Sequence, residues 1–125
     1  MTDSPNVRLA VSALLAMLFT LVLGLATALA GQHPLPELIL VVNGTMMTTG
    51  LFALPLVWWH SKAGYACAMA VGVSNVLLTL TALATGLPLF AGQPSRALTM
   101  MILQILMSAI VVFACARAWS EPTAV

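Results

Sequence analysis

Six polar side chains stand where polar chemistry is hardest to accommodate. Asn43, Thr48, Asn75, Thr79, Gln104 and Ser108 each lie inside a long apolar run. An amide or hydroxyl without a partner in hydrocarbon is costly, so these groups must bond to one another, to backbone or to water. They form the candidate intramembrane polar cluster. Two kinds of chemistry fit it. One is a hydrogen-bonded knot that fixes the register of neighbouring helices. The other is a narrow path for a small neutral or weakly polar solute. The segment "NGTMMTTG", residues 43–50, poses the choice most sharply. It places an asparagine, three threonines and two glycines within about two helical turns.

Other chemistry-bearing residues point less far. His33 and Glu37 are four apart, but Pro34 and Pro36 separate them and work against the helix that would aim both at one metal. His33 and His60 belong to opposite ends of the chain's hairpins and cannot share an ion. Cys67 and Cys115 would each sit about one turn inside the same boundary and can approach each other, but they lack the close Cys-x-x-Cys spacing of a redox pair. The pairs Met46–Met47 and Met100–Met101 contain soft copper ligands. Neighbours on a helix diverge by about 100°, so neither pair converges on one ion, and flexible packing is the expected role.

No Asp, Glu, Lys, Arg or His falls in the middle of an apolar run. Intramembrane ionisable groups mark proton relays, ion pathways and voltage sensors. Axial haem ligation would need facing histidines within the helices. There is no Gly-rich phosphate loop, no nucleophile beside a base and no basic patch for nucleic acid. The expectation is therefore a chain that is not an enzyme, with no catalytic, cofactor-binding or metal site and no nucleic-acid partner.

The elements that must position the polar groups follow from composition. Of 125 residues, 62% are hydrophobic and 6% charged, too few charges for an ordinary water-facing surface. Apolar stretches cover about residues 8–30, 37–59, 63–87 and 96–119, and each reaches the roughly 20 residues needed to cross a bilayer. The expected fold is an all-α integral membrane protein, a single domain with four transmembrane helices in a bundle. An Ala28-x-Ala30 pattern resembles a leader-peptidase site, but the apolar stretch before it is too long for a signal core, so the first helix is expected to be retained. Arg8, Lys62 and Arg117 fall at one end of the helices and Arg96 at the other. The positive-inside rule then puts both termini in the cytoplasm, in an inner membrane of bacterial type. Trp58, Trp59, Tyr65 and Trp119 gather at the same end, as interfacial rings would.

The chain also matches itself when offset by 54 positions. "TALAGQHPL", residues 27–35, lies over "TALATGLPL", residues 81–89, and "TMM" at 45–47 lies over "TMM" at 99–101. The expectation is an internal repeat of residues 8–61 and 62–118, two tandem helical hairpins related in parallel by a pseudo-two-fold axis along the membrane normal.

Helices in lipid associate through small residues and interhelical hydrogen bonds. Spacings of three and four single out Ser12, Ala16, Thr20, Gly24, Thr27 and Gly31 on the first helix. They single out Ala68, Gly72, Asn75, Thr79, Ala82 and Gly86 on the third, and Ala97, Met101, Gln104, Ser108 and Cys115 on the fourth. On the second, Gly44 with Thr48, and Asn43 with Met47 and Gly50, predict two contact faces. Glu37 and Arg96 start helices on the same side and can pair. The function expected is that of a small multi-pass accessory or assembly component, packing against itself as a homo-oligomer or against other membrane subunits. The alternative is an oligomeric permease or channel for a small neutral or weakly polar solute.

Overall fold

The computed structural model describes residues 4–31, 36–86 and 94–121, and its regular structure is entirely helical. Four helices follow in order: α1 (Pro5–Leu29), α2 (Pro36–Trp58), α3 (Lys62–Thr85) and α4 (Pro94–Trp119). All four are long and apolar enough to cross a membrane. Three of them open on a proline, whose fixed φ and missing N–H suit the first helical position. For that reason α1 starts at Pro5 instead of Arg8. Two of the helix ends turn on glycines with left-handed backbone, Gly31 (φ 72°) and Gly86 (φ 74°). Pro55 lies inside α2, which continues past it to Trp58.

α1 packs against α2 and α4, and α3 packs against the same two. The main core draws Leu14, Met17 and Leu18 from α1, Ala53 and Val57 from α2, Tyr65, Ala68 and Val71 from α3, and Val111, Ala114 and Cys115 from α4. Ala28, Ile39, Ala82 and Met101 form a smaller cluster towards the opposite end. Phe19, Val41, Phe52, Leu77 and Phe113 face outward. Two glycines let backbones close up. A methyl group at Gly64 would stand 2.6 Å from the backbone of Leu56 and Val57, and one at Gly72 would stand 3.1 Å from the Ser108 carbonyl oxygen.

The expected inward seams of α3 and α4 are buried in the structure wherever their side chains are described, apart from Gly86. That of α1 is not. Ser12 is exposed, Ala16, Thr20 and Thr27 are half-buried, and the buried side is Val7, Ala10, Leu14, Met17, Leu21, Gly24 and Ala28. The reason is volume: large side chains of α1 fill space beside the small residues of its neighbours, so small size marked the wrong side. On α2 only one of the two expected contact faces is covered. Asn43, Met46, Gly50, Ala53 and Val57 are buried, whereas Thr48 is exposed and a methyl group at Gly44 would meet nothing within 4 Å.

Six of the nine buried residues of α1, Ala10, Leu14, Met17, Leu18, Leu21 and Ala28, have a buried residue 54 positions on in α3, whereas Val7, Ala13 and Gly24 fall against the half-buried Ser61, Cys67 and Leu78.

Candidate intramembrane polar site

Four of the six expected cluster residues come together where α3 faces α4. Asn75 Nδ2 donates to Gln104 Oε1 at 2.5 Å and to Ser108 Oγ at 2.9 Å. Gln104 Nε2 in turn donates to Thr20 Oγ1 on α1. The Thr20 hydroxyl donates back to the Met17 carbonyl at 2.7 Å, and Ser108 Oγ lies 3.4 Å from Met17 Sδ. Thr79 is buried one turn away, its hydroxyl donating to the Asn75 carbonyl at 2.7 Å. Asn75, Thr79, Gln104 and Ser108 are each at least 96% buried. Both ends of the Gln104 amide are occupied, so the knot joins α1, α3 and α4 through bonds among its own members.

Asn43 lies apart from that knot. It is buried at the α1–α2 contact and donates from Nδ2 to the Leu21 carbonyl at 3.3 Å. Gly24 makes the room, since a methyl group there would stand 2.5 Å from Asn43 Nδ2. Thr48 lies outside any cluster. Its hydroxyl donates to the Gly44 carbonyl one turn back at 2.9 Å, and the side chain is exposed on the open face of α2. Residues such as Thr satisfy themselves in this way on a helix, so their presence in an apolar run does not require an interhelical partner. Thr45 and Thr49 behave alike. A groove of about 410 Å³ runs beside them between α2 and α3, lined by Val42, Thr45, Met46, Thr49, Ala70 and Ser74.

Thr20 joins the knot although it stood outside the expected cluster. Its signal was present in the spacing of α1, and it is the reach of Gln104 that brings it in. The Met46 and Met101 side chains are packed in separate apolar clusters. Cys115 is buried, Cys67 half-buried, and both are free thiols. Glu37 and Arg96 are both exposed, and no ion pair joins them. His33 lies outside the described residues.

A second polar group of residues occupies the end of the molecule where α1 starts and α4 stops. Spacing within helices gave no sign of it, because its members come from four separate segments. His60 is 97% buried in the α2–α3 turn. Its Nδ1 is hydrogen bonded to the Tyr65 hydroxyl, and the two rings meet edge to face with centroids 5.5 Å apart. Its Nε2 has no hydrogen-bond partner and faces Glu121 Oε2 at 3.6 Å. The other carboxylate oxygen of Glu121 accepts from Ser4 Oγ at 2.5 Å and from Asn6 Nδ2 at 2.9 Å. These bonds, the Ser4 bond foremost, hold the Glu121 carboxyl below the ordinary glutamate range, with His60 and Arg117 adding to the effect.

The backbone at His60 explains how the ring gets there. The Ser61 N–H bonds the Leu56 carbonyl at 2.9 Å, and the His60 N–H bonds the Val57 carbonyl at 2.9 Å. This is the Schellman closure of a helix, in which the residue at the position of His60 adopts left-handed backbone and is usually glycine. His60 has φ 59°, the one positive φ at a non-glycine among the described residues. Left-handed backbone costs a residue with a side chain about 1–2 kcal/mol. Trp58, Trp59 and Trp119 surround this end, with Lys62 Nζ 5.8 Å from the centre of the Trp119 ring.

In comparisons with known proteins, no family model, no curated sequence and no solved structure matches the chain.

Proposed function

We infer that the chain is a non-enzymatic membrane component, a four-helix bundle of two related hairpins that docks against a second membrane-embedded helical surface. The observation that carries this reading is the open face of α2. Gly24, Gly50, Gly64 and Gly72 all sit where an added methyl group would come within 3 Å of a neighbouring atom. Gly44, in the middle of a helix, has open space instead, flanked by the exposed Thr48 and Thr45. A glycine in a helix interior costs about 1 kcal/mol relative to alanine, and small residues in a membrane helix favour close helix approach. A second helix packed on Gly44 gives that glycine the role its four counterparts have inside the molecule.

The internal knot supports the same reading. Asn75, Gln104, Thr20 and Ser108 use their polar atoms on one another, which suits register-setting better than solute passage. The matching burial of α1 and α3 supports descent from two hairpins. The placement of Arg8, Lys62 and Arg117 with the tryptophans at the terminal end supports cytoplasmic termini in an inner membrane. The permease alternative now draws its support from the groove beside Thr45, Thr49 and Ser74, which would line a path only within an oligomer.

The test is the native mass of the gently extracted protein together with the identity of co-purifying chains. A homo-oligomer or a defined complex with other membrane subunits agrees with the reading. A monomer in both mild detergent and lipid nanodiscs overturns it.

A further inference from the structure

We propose that Glu121 is a strap: its side chain closes the start of α1 and the end of α4 over the α2–α3 turn, and it releases while the polar knot in the middle of the bundle stays intact. Glu121 follows the last residue of α4, Trp119, and its own N–H bonds the Ala118 carbonyl at 3.1 Å. Its carboxylate reaches two further segments. Oε1 accepts from Ser4 Oγ and Asn6 Nδ2 at the start of α1, and Oε2 faces His60 Nε2 at 3.6 Å. One side chain thus spans three parts of the chain that no helix connects at this end.

What lies beneath the strap is costly to keep folded. His60 is 97% buried and has left-handed backbone at a helix end that favours glycine. Its Nε2 is a buried polar atom with no hydrogen bond. Buried polar atoms without partners are rare, because they forfeit hydration and gain nothing in return. Both costs ease when the turn opens to water, so the closed turn depends on what holds its cover down.

The cover is weakly guarded. Ser4, Asn6 and Glu121 are only half-buried, so water competes for their bonds. Arg117 acts on the same carboxylate through its charge, but its guanidinium lies over the Phe113 ring of its own helix. The knot differs in each respect. Asn75, Gln104 and Ser108 are at least 96% buried and bond one another. Regions held by solvent-accessible bonds open locally at lower free energy than a packed interior. The α2–α3 turn therefore opens first, by release of Glu121.

The test is hydrogen exchange of the full chain in lipid nanodiscs at one pH. It is read at the His60 and Ser61 amides, whose bonds to the Val57 and Leu56 carbonyls close the turn. Glu121→Ala should speed exchange at both amides by about tenfold or more, as loss of hydrogen bonds to a charged group implies. Ser4→Ala combined with Asn6→Ala should do the same with the carboxylate still in place, which covers the case in which Glu121→Ala fails to fold. The amides of Asn75 and Gln104 should keep their wild-type protection in both. Asn43→Ala, at the α1–α2 contact, should leave the turn amides as they are in the wild type. Wild-type exchange at His60 and Ser61 in the strap variants overturns the proposal. So does an equal rise at Asn75 and Gln104, which would mean that the end and the knot open together.

Discussion

Asn75 and Gln104 face each other across the α3–α4 contact with amide nitrogen and amide oxygen 2.5 Å apart, and neither side-chain amide bonds another side chain of its own helix. The pair therefore fixes the axial register of two helices whose apolar surfaces alone would slide. Met17 and Thr20 of α1 close the knot from the opposite side.

Asn75→Ala should destabilise the protein by about 0.6–1.7 kcal/mol, the range of interhelical hydrogen bonds measured in membranes. Ser108→Ala should cost less, since Asn75 keeps its bond to Gln104. The double variant should cost less than the sum of the two, because both single changes break the same contact. Reversible unfolding in mixed micelles measures all three. Strict additivity would show that the three groups do not act as one network.

Gly64→Ala should be the most damaging of the glycine substitutions, costing about 2–3 kcal/mol as overpacking. Its methyl group would meet the Leu56 and Val57 backbone at 2.6 Å, and backbone at a tight turn cannot step aside. At Gly24 the obstacle is a side chain, Asn43 Nδ2, which can rotate at the expense of its bond to the Leu21 carbonyl. Gly24→Ala should therefore be milder. Unfolding midpoints compared in one detergent decide the order, and a milder effect at Gly64 would contradict the geometry.

The positions of these contacts show what the sequence could and could not convey. Four helices were legible from composition and length. The inward residues of α3 and α4 were legible because their seams combine small size with amides that need partners. On α1 small size misled, because Leu14, Met17 and Leu18 fill the core there. Part of the correction was contained in the chain. Carried back by 54 positions, Ala68, Gly72, Asn75 and Ala82 of the expected α3 seam become Leu14, Leu18, Leu21 and Ala28, all buried on α1, although Thr79 becomes the half-buried Leu25. Thr48 misled for a different reason, since a threonine on a helix can use its own carbonyl. The His60 group was out of reach of any periodicity. It assembles residues 4, 6, 60, 65 and 121 by tertiary packing, and its one local sign is a histidine where a helix end favours glycine.

Acid should weaken the end of the molecule where α1 starts and α4 stops. Bonds from Ser4 and Asn6 hold the Glu121 carboxyl below its ordinary value in the folded protein. A depressed carboxyl contributes stability above the unfolded-state value, and that contribution is lost as the pH falls through the folded-state one. Stability should thus drop as the pH is lowered below about 4.3. Ser4→Ala combined with Asn6→Ala should flatten that drop, as read from unfolding midpoints between about pH 3 and pH 5. A drop of equal size in the double variant would assign it to another carboxyl group.

Gly44 separates packing inside the molecule from packing between molecules. A methyl group at this position meets nothing within 4 Å, so Gly44→Ala should leave the isolated fold unharmed or stabilise it by up to about 1 kcal/mol through helix propensity. Gly44→Ile adds bulk to the same open face and should likewise leave the α-helical content and the internal knot intact. Its effect should appear elsewhere, as loss of the oligomer or of the co-purifying subunits in native mass measurements. Thr48→Val, which removes a hydroxyl already bonded to its own helix, should change the assembly little and stability by no more than about 0.5 kcal/mol. An assembly that tolerates Gly44→Ile would move the docking surface away from α2, and with it the reason for a glycine at that depth.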